Sequence, residues 1–202
     1  YPSNGADLKG LMKAAYLDPN PVLVLEHKGL YWSKIRGTEN AKTIEPDENY
    51  ILPIGKACKV IEAEGKHEKS GESLVIITYG RGVYWSLEAS KSFAGKIEIL
   101  DLRTLSPLDE DQILKSVKKH GKSLIVTEEP SSASFSIGIA GFIQENCFEF
   151  LDAPVKIIGS ENTPAIPLNE NLEFTYLPNA SKVQKAISCL LYTSDAADER
   201  HC

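Results

Sequence analysis

The sequence predicts an α/β fold: a doubly wound, mostly parallel sheet with helices on both faces, preceded by the last helix and strand of another α/β domain. Three observations predict it. From residue 57 onward, short apolar runs that suit buried strands alternate with amphipathic helical segments. One unit, "IEILDLRTLSPLDEDQILKSVKKHGKSLIVTEE" from Ile97 to Glu129, carries a complete strand, crossover helix and strand. Residues 27–56, polar and without sustained periodicity, set this regular part off from a helix and a strand in residues 1–26.

In chain order, Ser3 or Asn4 opens a helix that carries Leu8, Leu11, Met12 and Ala15 on one face, and Pro19 ends it. "PVLVLE", Pro21 to Glu26, reads as a buried strand. Residues 27–56 exceed an ordinary connection and read as an interdomain linker. "ACKVIEAEG" is then a strand, "EKSGE" a turn, "SLVIITYG" a buried strand, and "VYWSLEASKSFAG" a helix with Val83, Leu87 and Ala94 on one face.

In the crossover unit Ser106 caps the helix, Pro107 takes its first position and Asp109 supplies the capping-box acid. Ile113, Leu114 and Val117 form its stripe, Lys118, Lys119 and His120 oppose the negative end of the dipole, and Gly121 provides a left-handed stop. "FSIGIAGFIQENCFEF" is a helix with Ile139, Ile143, Cys147 and Phe150 in line, and "PVKIIG" is a strand. "SENTPAIPLNENLEFTYLPN" is a loop, and Ser181 with Gln184 caps a last helix bearing Val183 and Ile187. The main domain spans 57–189, and residues 190–202 read as a non-native, adapter-derived tail.

Composition bounds the function. The chain is 42% hydrophobic and 25% charged with a net charge of −6, and its basic residues are dispersed, which argues against nucleic acid as a partner. The longest apolar runs are too short to span a membrane. No charged, apolar and cleavable leader opens the chain, so an intracellular, cytoplasmic location is expected, and Tyr1 in place of a start Met suggests a fragment. Cys58, Cys147, Cys189 and Cys202 show no C-x-x-C spacing and are expected to be reduced thiols.

Ligands of an open α/β sheet gather beyond the carboxyl ends of its strands. "YGRG", Tyr79 to Gly82, lacks the third Gly of a dinucleotide loop and the Gly-Lys-Ser/Thr of a triphosphate loop, so it reads as a tight strand-to-helix turn. Arg103 has two readings: an intraloop ion pair with the neighbouring Asp101 or Asp109, or a reach across a subunit or domain contact. Glu128 and Glu129 point to opposite faces and read as a solvated rim rather than a paired acid and base. His27, with Lys28, Lys34 and Arg36 nearby, is the candidate on the substrate side for an anionic ligand, or else a surface histidine.

The ordered series "YPSNGADLKGLMKAAYLDPNPVLVLEHKGLYWS", "YILPIGKA", "VIITYGRGVYWSLEAS", "DLRTLSPLD", "GKSLIVTEE", "LDAPVKIIG" and "LPNASKV" resembles the carboxy-terminal part of the thiamine-diphosphate-dependent, transketolase-like enzymes. More narrowly it resembles the beta subunit of the decarboxylating component of 2-oxo acid dehydrogenase complexes, in a branched-chain (2-oxoisovalerate), fused bacterial form. The resemblance implies oxidative decarboxylation of a 2-oxo acid with acyl transfer to a lipoyl-bearing acyltransferase. It makes residues 1–26 the end of a pyrimidine-binding domain and 57–189 a transketolase C-terminal-like domain.

The resemblance also implies thiamine diphosphate with magnesium, bound mostly outside this chain, and catalytic residues upstream of Tyr1, so the fragment alone is expected to be inactive. Implied partners are an alpha-like part or a second protomer, in a homo- or hetero-oligomer, and the acyltransferase. A structural potassium ion is implied at Ala15, Asp18 and Asn20 of "AYLDPN". Relatives carry a glycine-rich "GGF" where this chain has Ala133, Ser134 and Phe135. The alternatives are another member of the group (pyruvate or acetoin dehydrogenase, deoxyxylulose-phosphate synthase) or a noncatalytic flavodoxin-like binding module.

Overall fold

The computed structural model describes residues 1–32 and 35–192. Five strands form one sheet: β1 (Cys58–Ile61), β2 (Leu74–Thr78), β3 (Ile97–Asp101), β4 (Ser123–Pro130) and β5 (Lys156–Ser160), in the order β1-β3-β2-β4-β5. All neighbours are parallel except β1, which runs against β3. The sheet is therefore mostly parallel, as the sequence predicts.

Alternation along the central strands builds two cores. Leu74, Ile76, Ile99, Leu124 and Val126 pack on one face beneath α4 (Gly82–Ser90) and α8 (Ala180–Tyr192). Val75, Ile77, Leu100 and Ile125 pack on the other beneath α5 (Glu110–His120) and α6 (Phe135–Cys147). Helices thus cover both faces, and each completely buried Leu or Ile contributes roughly 1.5–3 kcal/mol.

Several elements differ from their predicted form. Segment 21–26 is not a buried strand: it takes no regular secondary structure, and Leu23 is 92% exposed. A strand is held by ladder bonds to a neighbour, and no described strand pairs with it. In α1 (Gly5–Leu17) Asn4 is the cap, and of the predicted stripe only Leu11 is buried, while Met12 is exposed. Helix α5 is capped by Asp109, which accepts from the Gln112 N–H, rather than by Ser106. The Asp109 carboxylate also takes the Ala57 N–H, a tertiary contact that favours it over Ser106.

Gly121 is the left-handed stop, with φ +66°. Asn179, not Ser181, accepts from the Lys182 N–H at the start of α8, which runs through the buried Leu190 to Tyr192. Short helices α3 (Gly65–Lys69) and α7 (Glu170–Tyr176) lie where a turn and a loop were expected. Phe150 is half exposed and outside its predicted stripe, and Ala94 lies beyond the end of α4. Cys58 and Cys147 are free thiols, but Cys189 is disulfide-bonded, against expectation; Cys202 lies outside the described residues. The predicted tail beyond Tyr192 also lies outside them, as does Lys34 of the cationic neighbours of His27.

Candidate functional site

The chain leaves β2 through α4 on one face and leaves the adjacent β4 through α6 on the other. Where neighbouring strands send their helices to opposite faces, a crevice opens beyond their carboxyl ends. Tyr79 and Arg81 stand at that end of β2, and Thr127, Glu128 and Glu129 at that end of β4.

Glu128 is the hub. Its Oε2 lies 2.8 Å from His27 Nε2, and its Oε1 accepts from Arg81 at 3.4 Å. Burial raises the carboxyl, but His27 and Arg81 outweigh it and hold the group below the usual range. The other ring nitrogen of His27, Nδ1, accepts the N–H groups of Gly29 and Leu30 at 3.1 and 3.2 Å, capping α2 (Lys28–Tyr31). An Nδ1 that accepts leaves the proton on Nε2, which donates to Glu128. Both nitrogens are thus engaged, and an anionic ligand would have to displace Glu128. His27 borders a cavity of about 410 Å³ walled by Ser3, Asn4, Glu26, Tyr31 and Lys42 among others.

Glu129 points the other way, as expected of adjacent strand residues, but neither acid is a solvated rim. Glu129 Oε1 accepts from Tyr79 OH at 2.7 Å and from the Ser136 N–H at 3.4 Å, tying β2 to the start of α6. Burial drives the Tyr79 phenol up, so it stays a donor. "YGRG" is the tight turn predicted: Gly80 has φ +55°, and a Cβ there would lie 2.2 Å from the Tyr1 ring. Tyr1 fills the space a phosphate would need, and the ring packs edge-on to Tyr79 at 5.3 Å.

Arg103 reaches past its own loop to α1. Its Nε and a terminal nitrogen donate to the two carboxylate oxygens of Asp7 at 2.8 and 2.9 Å, a bidentate pair linking residues 96 apart. Only its backbone N–H bonds Asp101, at 3.1 Å, with φ +59°. Ser3 Oγ donates to Asp101 Oδ2 at 2.6 Å, and Tyr84 OH donates to the Ser3 carbonyl at 2.8 Å. This second cluster, absent from the sequence-based candidates apart from Arg103, fastens α1 to the carboxyl end of β3.

Ala15, Asp18 and Asn20 share one turn. The Asp18 N–H closes α1 on the Ala14 and Ala15 carbonyls, and the Asn20 N–H and side-chain amide both donate to Asp18 Oδ1 at 2.9 and 3.0 Å. A cation would compete with these donors for Oδ1. Among the described residues no group of three or more His, Cys, Asp or Glu is placed to hold a metal ion. The sequence holds no Gly-Asp-Gly, and with the Gly80 turn filled these residues do not fit a diphosphate.

A Ser–His–Glu line does occur, at the opposite, amino edge of the sheet. Ser73 Oγ lies 2.7 Å from His120 Nδ1, and His120 Nε2 lies 3.3 Å from Glu98 Oε2. The 3.3 Å contact lacks hydrogen-bond alignment and is an ion pair only when the imidazole is protonated. All three residues are buried, so no substrate reaches the serine. Among the described residues no helix is long and apolar enough to cross a membrane.

Residues 63–183 match the transketolase C-terminal domain family. The chain is 36% identical over 189 residues to the 2-oxoisovalerate dehydrogenase subunit beta of Bacillus subtilis, covering 92% of this chain and 53% of that one. It is likewise 36% identical to the pyruvate dehydrogenase E1 component subunit beta of Rickettsia bellii, covering 95% and 54%. It thus spans about half the length of these relatives. A solved split-gene transketolase, described as an inactive beta4 tetramer, shares the fold at a TM-score of 0.59 and 17% identity, covering 75% of this chain and 48% of that one.

Proposed function

This chain belongs to the transketolase C-terminal domain family, and on that premise we propose that it is the carboxy-terminal part of a beta-like subunit of a 2-oxo acid dehydrogenase. The observation that carries the reading is its identity along nearly its whole length to a 2-oxoisovalerate dehydrogenase subunit beta. The reaction is the oxidative decarboxylation of a 2-oxo acid, with 2-oxoisovalerate the favoured substrate and transfer of the acyl group to a lipoyl-bearing acyltransferase. Pyruvate is the second reading, favoured by the Rickettsia relative. The protein works in the bacterial cytoplasm, as a homo- or hetero-oligomer with an alpha-like part.

Thiamine diphosphate with magnesium supplies the carbanion chemistry when bound, and the residues here leave that group to the remainder of the enzyme. This chain contributes positioning. Arg103 holds α1 against the sheet, while the Glu128 hub seats α2 with His27 on the substrate side. Alone it carries out no decarboxylation. A potassium ion at Ala15, Asp18 and Asn20 rigidifies the turn after α1, which a rise in melting temperature in potassium over sodium buffer checks.

The test begins upstream of Tyr1. The reading expects the continuous reading frame to encode a Gly-Asp-Gly motif, then a glutamate and a histidine. The full enzyme should turn over 3-methyl-2-oxobutanoate faster than pyruvate. A start codon just before Tyr1 would sink it in favour of a noncatalytic binding module, and preference for pyruvate would revise the substrate alone.

A further inference from the structure

We propose that the start of the chain and the end of β3 form a proton-operated latch: Asp101 grips α1 when its carboxyl is neutral and loosens it when ionised. This goes beyond the functional reading above and does not depend on it.

The geometry carries it. Asp101 is 1% exposed, and its Oδ2 accepts from Ser3, two residues before α1 begins. The charged and titratable groups facing it come from each element around it: Asp7 of α1, Arg103 after β3, Cys58 on β1 as its register partner, Tyr84 of α4, and the amino group of Tyr1. The nearest cation, Arg103, is committed to Asp7 through both carboxylate oxygens. Asp101 is left with two hydrogen-bond donors, the Ser3 hydroxyl and the Arg103 N–H, and no counter-ion of its own. An ionised carboxylate so placed is costly, whereas a neutral carboxyl keeps the contact with Ser3 by donating to its oxygen.

Burial pushes the Asp101 carboxyl up to about 6; Ser3 and the Arg103 N–H oppose this and Asp7 adds to it. Lifting α1 would wet the group and return it toward the ordinary range. The docked state therefore binds the proton more tightly, so acid favours docking and a rise through pH 6 favours release. Two units correspond to a roughly 100-fold change in the docking equilibrium.

The test is hydrogen exchange on the full chain between pH 4.5 and 8, corrected for intrinsic rates, with β4 amides as the internal reference. The expected result is that opening of α1 rises by up to about 30-fold across this range, the part of the change that lies above pH 4.5, while β4 is unchanged. Asp101→Asn should keep α1 protected at every pH. Should that variant fail to fold, carboxyl carbon NMR of the unmodified chain decides, with an Asp101 midpoint near 6 expected. A flat profile for α1, a pH response retained in Asp101→Asn, or a midpoint near 4 overturns the proposal.

Discussion

Strand β3 carries a buried carboxylate near each end, and the two titrate in opposite directions. At the amino edge Glu98 is completely buried, bonds the Ser116 hydroxyl, and has His120, Lys59 and Lys119 within 3.3 to 3.6 Å. Burial opposes its charge, but His120, Ser116 and Lys59 outweigh it and hold the carboxyl at about 2. At the carboxyl edge Asp101 is 1% exposed, the Arg103 guanidinium is paired with Asp7, and burial pushes the Asp101 carboxyl up to about 6. At both positions burial is the largest influence and raises the carboxyl; at Glu98 the nearby cations and hydroxyl outweigh it, and at Asp101 its hydrogen-bond donors do not. The amino edge is a charge-matched joint, and the carboxyl edge keeps an unmatched acid next to the crevice.

The most severe test of this contrast is Glu98→Ala, which removes the buried anion from Lys59 and Lys119 and the acceptor from Ser116. We expect a loss of about 4 kcal/mol by urea denaturation at pH 7. A loss under about 1 kcal/mol would show that the joint is not held by charge. Arg103→Met removes the partner of the buried Asp7 and should lower stability by about 3 kcal/mol in the same measurement.

Asp101→Asn should move the other way, gaining about 3 kcal/mol at pH 7.5 and almost nothing at pH 3.5. The two acids then shape the pH profile together. Glu98, depressed in the fold, contributes stability above about pH 4.5 that is lost as pH falls toward 2. Asp101, raised in the fold, contributes stability below about pH 3.8 that is lost as pH rises through 6. Denaturation midpoints should therefore climb from pH 2 to about 4 and decline toward 6, and Asp101→Asn should abolish only the decline. The smallest effect concerns the loop before α6. Ala133 sits at φ +54°, where a side chain is strained, so Ala133→Gly should raise stability by up to about 1 kcal/mol in thermal melts.

The sequence made the carboxyl edge far less legible than the core. Runs such as Leu74–Thr78 and Ile97–Asp101 declare buried strands locally, and Gly121 declares its helix stop, because those signals lie within a few residues. The apolar run at 21–26 looks the same locally, but whether it pairs is a tertiary matter. Helix α7 was hidden because it exposes Leu172 and Phe174 and so lacks a stripe. Arg81 and Glu128 meet because strand order puts β4 beside β2, and order is not written in any single segment. The ion pair of Arg103 with Asp7 was not legible, since neighbouring acids offered it nearer partners in sequence.

The reversed direction of β1 has a consequence for the route of the chain. Because β1 is antiparallel, Cys58 at its start lies opposite Asp101, on the same edge where residue 27 is already docked. The Gly55 N–H donates to Thr104 Oγ1 and the Ala57 N–H to Asp109, mooring the approach to that side. A parallel first strand of similar length would have to begin at the far edge, adding roughly 13 Å of travel across the sheet. The reversal spares the intervening segment this detour, so its described residues can stay on one side of the sheet, where Leu30 and Ala41 pack on α4 and the Leu52 N–H donates to the Gly10 carbonyl.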